Sequence, residues 1–108
     1  MSNEIFLEKY RTKGAKIFTG RDRGEYVRDE SKIDEIEKNN EKITIIIPDN
    51  LYSINPSFFE ELFVNVVTKL GKENFYNKFI FRNEGKYNYE KPLKEAVERI
   101  LRENTALD

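Results

Sequence analysis

The chain has 108 residues, 38% of them hydrophobic and 36% charged, with 19 Lys and Arg balancing 20 Asp and Glu to a formal net charge of −1. This is the length of one ordinary domain, enough to bury about 65% of the unfolded surface around a single core with no metal or disulfide to hold it. With 0 His, 0 Cys and 0 Trp in the sequence, zinc sites of the Cys/His kind, thiol nucleophiles, Ser-His-Asp triads and haem ligation by His or Cys are excluded, and the commonest general acid–base group is missing.

Near the amino end, Ile5, Phe6, Leu7 and Tyr10 are compatible with a strand, and Arg11-Thr12-Lys13-Gly14 predicts a hairpin turn into Ala15-Lys16-Ile17-Phe18. Thr19-Gly20-Arg21-Asp22 then breaks the strand, and Thr19 or Asp22 can cap a helix through Glu25-Tyr26-Val27-Arg28. Ser31 offers a second cap with Asp34 three residues on, and a thin apolar seam of Ile33 and Ile36 reaches Glu37. One kinked helix and two short ones fit this pattern equally.

The β-branched run Ile43-Thr44-Ile45-Ile46-Ile47, ended by Pro48-Asp49-Asn50, predicts a central strand covered on both faces. Phe58, Phe59, Leu62, Phe63, Val66, Val67 and Leu70 repeat at three and four, which predicts a helix with one wide apolar stripe ending near Gly71. A further strand is expected at Lys78-Phe79-Ile80-Phe81, and Asn83-Glu84-Gly85-Lys86 turns out of it into a Tyr-rich loop. A last helix opens around Pro92 and presents Leu93, Ala96, Val97, Ile100 and Leu101 on one side. Strands alternating with amphipathic helices predict a mixed or parallel sheet with helices against it.

The segment from Ile43 to Leu62 carries the most information, because a buried strand, a short loop and a polar helix start follow one another. Asn55 can cap with Pro56 at the first helical position, or Ser57 can cap with Glu60 closing a capping box. Either choice puts the Ser57 hydroxyl in the first turn, where backbone N–H groups and the positive end of the helix dipole converge. A phosphate there would gain from the helix end and lose from the adjacent Glu60 and Glu61. Those two carboxylates point about 100° apart on a helix and serve the cap and dipole more readily than a shared substrate.

This arrangement resembles the STAS fold of anti-sigma factor antagonists, and more closely the small bacterial STAS-like domains. In the antagonists a strand delivers a loop of the form Asp-Ser-Ser-Gly with the regulatory Ser at the next helix start. Asn55-Pro56-Ser57-Phe58 occupies that place here, so Ser57 matches the phosphorylated Ser, while Asn55 and Phe58 depart from the acidic residue and the Gly. Ser57-Phe58-Phe59-Glu60-Glu61-Leu62, and upstream Thr19-Gly20-Arg21-Asp22-Arg23-Gly24, look like the STAS-like group. The resemblance covers roughly Ile17 to Leu101. It implies non-enzymatic partner binding, typically to a histidine-kinase-like ATPase or another regulator, through the loop and helix that begin at Ser57.

Two basic clusters complete the reading. Arg11, Lys13, Lys16, Arg21 and Arg23 surround the predicted hairpin, and Thr19-Gly20-Arg21 could hold an anion at a helix start or be no more than a solvated turn. Tyr76, Tyr87 and Tyr89 with Lys78, Arg82, Lys86, Lys91 and Lys94 interleave rings and cations as single-strand binders do, although Glu84, Glu90 and Glu95 dilute the field. A Gly-x-x-x-x-Gly-Lys loop is missing, which excludes the P-loop route of nucleotide hydrolysis.

The expectation is one STAS-like α/β domain over residues 1–108. It has a mixed sheet of four or five strands and two or three amphipathic helices mainly on one face. Its expected role is a non-enzymatic, cytoplasmic interaction module of a bacterial regulatory or phage-related defence circuit, binding another protein without metal, cofactor or membrane. Ser53, Asn55, Ser57 and Arg21 are its expected partner-binding or phospho-acceptor residues. The alternative is a small inhibitor or nucleic-acid-associated protein using Lys86, Tyr87, Tyr89 and Lys91.

Overall fold

Alternation of apolar and polar residues decides which strands can lie where, and the computed structural model, which describes residues 3–105, resolves it into five short strands. In chain order the elements are β1 (Glu4–Phe6), a 3-10 turn (Leu7–Tyr10), β2 (Ile17–Phe18), α1 (Arg21–Ser31), α2 (Ile33–Asn39) and β3 (Ile43–Ile47). There follow β4 (Ser53–Ile54), α3 (Pro56–Lys78), β5 (Phe79–Asn83) and α4 (Glu90–Thr105). They form a compact α/β domain.

The β-branched strand β3 is central, as its composition predicts, pairing parallel with β1 on one side and β5 on the other. The expected mixed sheet is not formed: the strands divide into this parallel three-stranded sheet and a separate parallel pair, β2 with β4. The hairpin is not formed either. Ala15 N–H donates to the Thr12 carbonyl at 2.9 Å, so the chain does turn there, but Leu7–Tyr10 coils into the 3-10 turn with Leu7 buried. The arms on either side then join different sheets.

Register sorts the main sheet into two faces. Ile5, Ile43, Ile45, Ile47, Phe79 and Phe81 share one face, and they meet the apolar stripe of α3 in a single core that also takes Val27, Leu93, Ala96, Val97 and Ile100 from α1 and α4. Both crossovers step the same way, β1 to β3 to β5, and connections of one hand therefore deliver their helices to one face. The opposite face carries Glu4, Thr44 and Ile80 in one row and Phe6, Ile46 and Arg82 in the next. Here Phe6 on β1 and Ile80 on β5 are 45% and 48% exposed, so this face is open along its flanking strands, while β3 itself is buried on both sides apart from half-buried Thr44. Ile46 is buried, as Arg82 reaches from β5 toward Glu4 on β1, their charged atoms 3.8 Å apart.

The helices differ from expectation at their ends. Lys32, in the left-handed region at φ 58°, separates α1 from α2, and neither Ser31 nor Thr19 or Asp22 acts as a cap. Gly71 (φ 82°) interrupts α3 where the helix was expected to end, but the chain re-enters the helix and runs on to Lys78. Buried Glu37 from α2 holds this second half in place by accepting from Lys69 Nζ at 2.8 Å and Lys78 Nζ at 2.7 Å, one lysine on each side of the break.

Candidate functional site

Two strand-to-helix junctions lie side by side, and all four predicted partner-binding residues belong to them. Because β2 and β4 run parallel, with Ile17 opposite Ser53 and Phe18 opposite Ile54, the helices that follow start from the same end. Tyr52 N–H donates to the Lys16 carbonyl at 2.7 Å and Asn55 N–H to the Phe18 carbonyl at 2.8 Å. Behind them the Phe18 and Phe58 rings pack at 4.8 Å.

At the second junction Asn55 is the cap and Pro56 the first helical residue, which settles the two capping options. Asn55 Oδ1 accepts from Ser57 N–H at 2.9 Å and from the Ser57 hydroxyl at 2.8 Å. Ser57 is half-buried, and Ser53 and Asn55 are exposed. At the first junction Gly20 (φ 83°) precedes α1 with no side-chain cap, leaving its first N–H groups facing an open groove of about 680 Å³ beside Ile17 and Thr19.

Arg21 ties the junctions together. Its guanidinium donates to Glu60 Oε2 at 3.0 Å and lies 3.5 Å from Glu61 Oε2, one turn beyond Ser57. The hydrogen bond to Glu60, then the charge of that carboxylate, raises the Arg21 pKa above its ordinary value. Arg28 donates to the Glu61 backbone carbonyl at 2.6 Å and to Glu61 Oε1 at 3.1 Å. Glu60 is buried, with Arg99 of α4 3.7 Å from Oε1. Close approach is possible because of Gly24, where an added Cβ would stand 2.5 Å from the Phe58 carbonyl oxygen and 2.9 Å from Glu61 Cβ.

Gly24, Arg28, Glu60, Glu61 and Arg99 are thus part of the site's frame. Only Gly24, a helix-interior glycine, carries a sequence signal of close packing; the pairing of α1 arginines with the α3 carboxylates is non-local.

Of the predicted nucleic-acid residues, Lys86 and Tyr87 border one depression and Tyr89 another. Lys86 and Tyr87 lie at the ends of β3 and β5, beside Asp49 and Gly85. The Tyr87 ring packs against the core, with its hydroxyl 3.5 Å from the Ile54 carbonyl. Tyr89 borders a different depression, stacked on Phe81 at 5.4 Å, and Lys91 is exposed on α4. Among the described residues no acidic cluster is arranged to hold a metal ion, and no helix is long and apolar enough to cross a membrane.

Comparison of the chain with family models, with curated proteins and with solved structures finds no match.

Proposed function

We propose that the chain is a non-enzymatic, STAS-like interaction module that docks a regulatory protein at its paired β2–α1 and β4–α3 junctions. The observation that carries this reading is the juxtaposition of Arg21, Ser53, Asn55 and Ser57 on two helix starts held in fixed relation by Gly24 and the Arg21 and Arg28 ion pairs. A surface whose backbone is braced in this way loses little entropy when a partner docks. The partner class is a histidine-kinase-like ATPase or a comparable regulator, on the strength of the resemblance around Ser57. Phosphorylation at Ser57 would replace its hydroxyl bond to Asn55 Oδ1 with like-charge repulsion from Glu60 and Glu61, loosening the cap that the partner reads.

A photo-crosslinking residue placed at Ser53, compared with one at Lys91, tests the docking surface in cells of the source organism. Protein adducts are expected from position 53 and should fall when Arg21→Glu is added; adducts from position 91 alone refute the proposal. Intact mass after incubation with the cognate kinase tests the switch. One added phosphate, lost in Ser57→Ala, is expected, and an unchanged mass removes the switch from the proposal.

A further inference from the structure

The break at Gly71 has a second effect: it turns the last part of α3 so that Phe75 enters the core and Tyr76 leaves it. Phe75 stacks on Phe79 at 4.9 Å and meets Phe63 edge-on at 5.2 Å. Tyr76, the next residue and about 100° further round the helix, is 38% exposed, with its ring edge-on to Phe75 at 5.3 Å. Tyr76 forms one wall of a cleft of about 440 Å³ against Phe81, Tyr89 and Leu93, within the size range of small-ligand pockets. A planar ring entering between these side chains would find aromatic and aliphatic surface on both sides.

The polar part of the cleft is as specific as its rings. Lys72, one turn before Tyr76, and Lys94, one turn into α4, stand at its rim with Glu90. Lys69 and Lys78 of the same helix are taken up by Glu37. Among the described residues neither Lys72 nor Lys94 is held in an ion pair. Two ammonium groups flanking an aromatic slot suit a planar ring that carries a compact anion. The Glu90 carboxylate supplies the acceptor that an exocyclic amino group needs.

We infer that this cleft binds a nucleobase joined to a phosphate, with the base between Tyr76 and the Phe81–Tyr89 stack and the phosphate on Lys72 and Lys94. A free nucleotide and a single-stranded nucleic acid present the same chemistry. The cleft shares none of its lining with the paired junctions, so its failure and theirs are separate.

Titrating the full chain with AMP, with adenosine, with a ten-nucleotide oligoadenylate and with a duplex of equal length, followed by calorimetry and amide chemical shifts, tests the inference. Shifts centred on Tyr76, Tyr89 and Lys94 are expected, with adenosine weaker than AMP and the duplex weakest. If AMP saturates the cleft as tightly as the oligomer the source is a free nucleotide; if the oligomer binds tighter it is a strand. In the second case affinity should fall about sevenfold between 50 and 200 mM salt for two phosphate contacts. Tyr76→Ala should weaken binding roughly tenfold, and Tyr76→Phe should retain it. Adenosine binding as well as AMP, or shifts outside the cleft only, would overturn the inference.

Discussion

Replacing Gly24 by Ala puts two opposing effects on one atom. Ala gains up to about 1 kcal/mol over Gly in a helix interior, so on propensity alone the variant should be more stable. The added Cβ, however, meets the Phe58 carbonyl oxygen at 2.5 Å and Glu61 Cβ at 2.9 Å, against 3.4 Å for ordinary contact. The oxygen belongs to the backbone of α3 and cannot swing aside, so α1 and α3 must separate by several tenths of an ångström. Overpacking of this kind costs about 1–3 kcal/mol. Separation also lengthens the 2.6 Å bond from Arg28 to the Glu61 carbonyl. The net expectation is a loss of about 1–2 kcal/mol, or a fall in Tm of roughly 5–10 °C for a domain of this size. Urea denaturation followed by far-UV circular dichroism should show a lower midpoint at unchanged slope. A midpoint equal to or above that of the parent would refute the close approach of the two helices. The same variant should reduce crosslinking from Ser53, because the junctions lose their fixed spacing.

Three further expectations concern stability. Burial raises the Glu37 carboxyl pKa, but hydrogen bonds from Lys69 and Lys78 outweigh it and the net position is below the ordinary 4.5. Its contribution is therefore complete above about pH 5 and is lost as pH falls through 4.5 and on through the lower folded value. Glu37→Gln should cost about 2 kcal/mol at pH 7, less than a fully buried pair because Lys69 is half exposed, and should flatten the urea midpoint between pH 3 and 6; parallel pH profiles would argue against the pairing. Asn55→Ala should lose about 1 kcal/mol, whereas Asn55→Asp, with an equivalent acceptor, should lose little in the same urea titration. Phe79→Ala should cost about 3–5 kcal/mol and Ile80→Ala under about 1 kcal/mol, and comparable losses in thermal melts would contradict the two-faced sheet.

What could be read from the chain is what depends on local periodicity. The run Ile43–Ile47, the stripe from Phe58 to Leu70 and the stripe of α4 each carry a pattern that only one kind of element satisfies, and each stands where expected. The hairpin failed because its turn residues are compatible with any reversal, while the partners of β1 and β2 lie far along the chain. Gly71 predicts a stop, since a glycine at positive φ usually ends a helix; Phe75, buried against Phe63 and Phe79, and Lys78, bound to Glu37, supply the tertiary reasons to resume it. At the candidate site the cap was legible from Asn55-Pro56-Ser57. Arg21 was legible as a nearby cation, but its attachment to Glu60 and Glu61 depends on a helix pairing that no local spacing encodes. Tyr87 shows the same limit: an aromatic in a polar loop carries no local sign of the core against which it is half-buried.

The parallel ladders have a kinetic consequence. Ile17 pairs with Ser53, Ile43 with Phe79 and Glu4 with Thr44, so no strand meets its neighbour until several turns of intervening helix have been spanned. Without a hairpin to zip early, the search for the native topology begins with loop closure over long segments, and the rate should be slow for a chain so rich in helix. On a ribosome the amino-terminal third would emerge with every one of its edges waiting for sequence not yet translated.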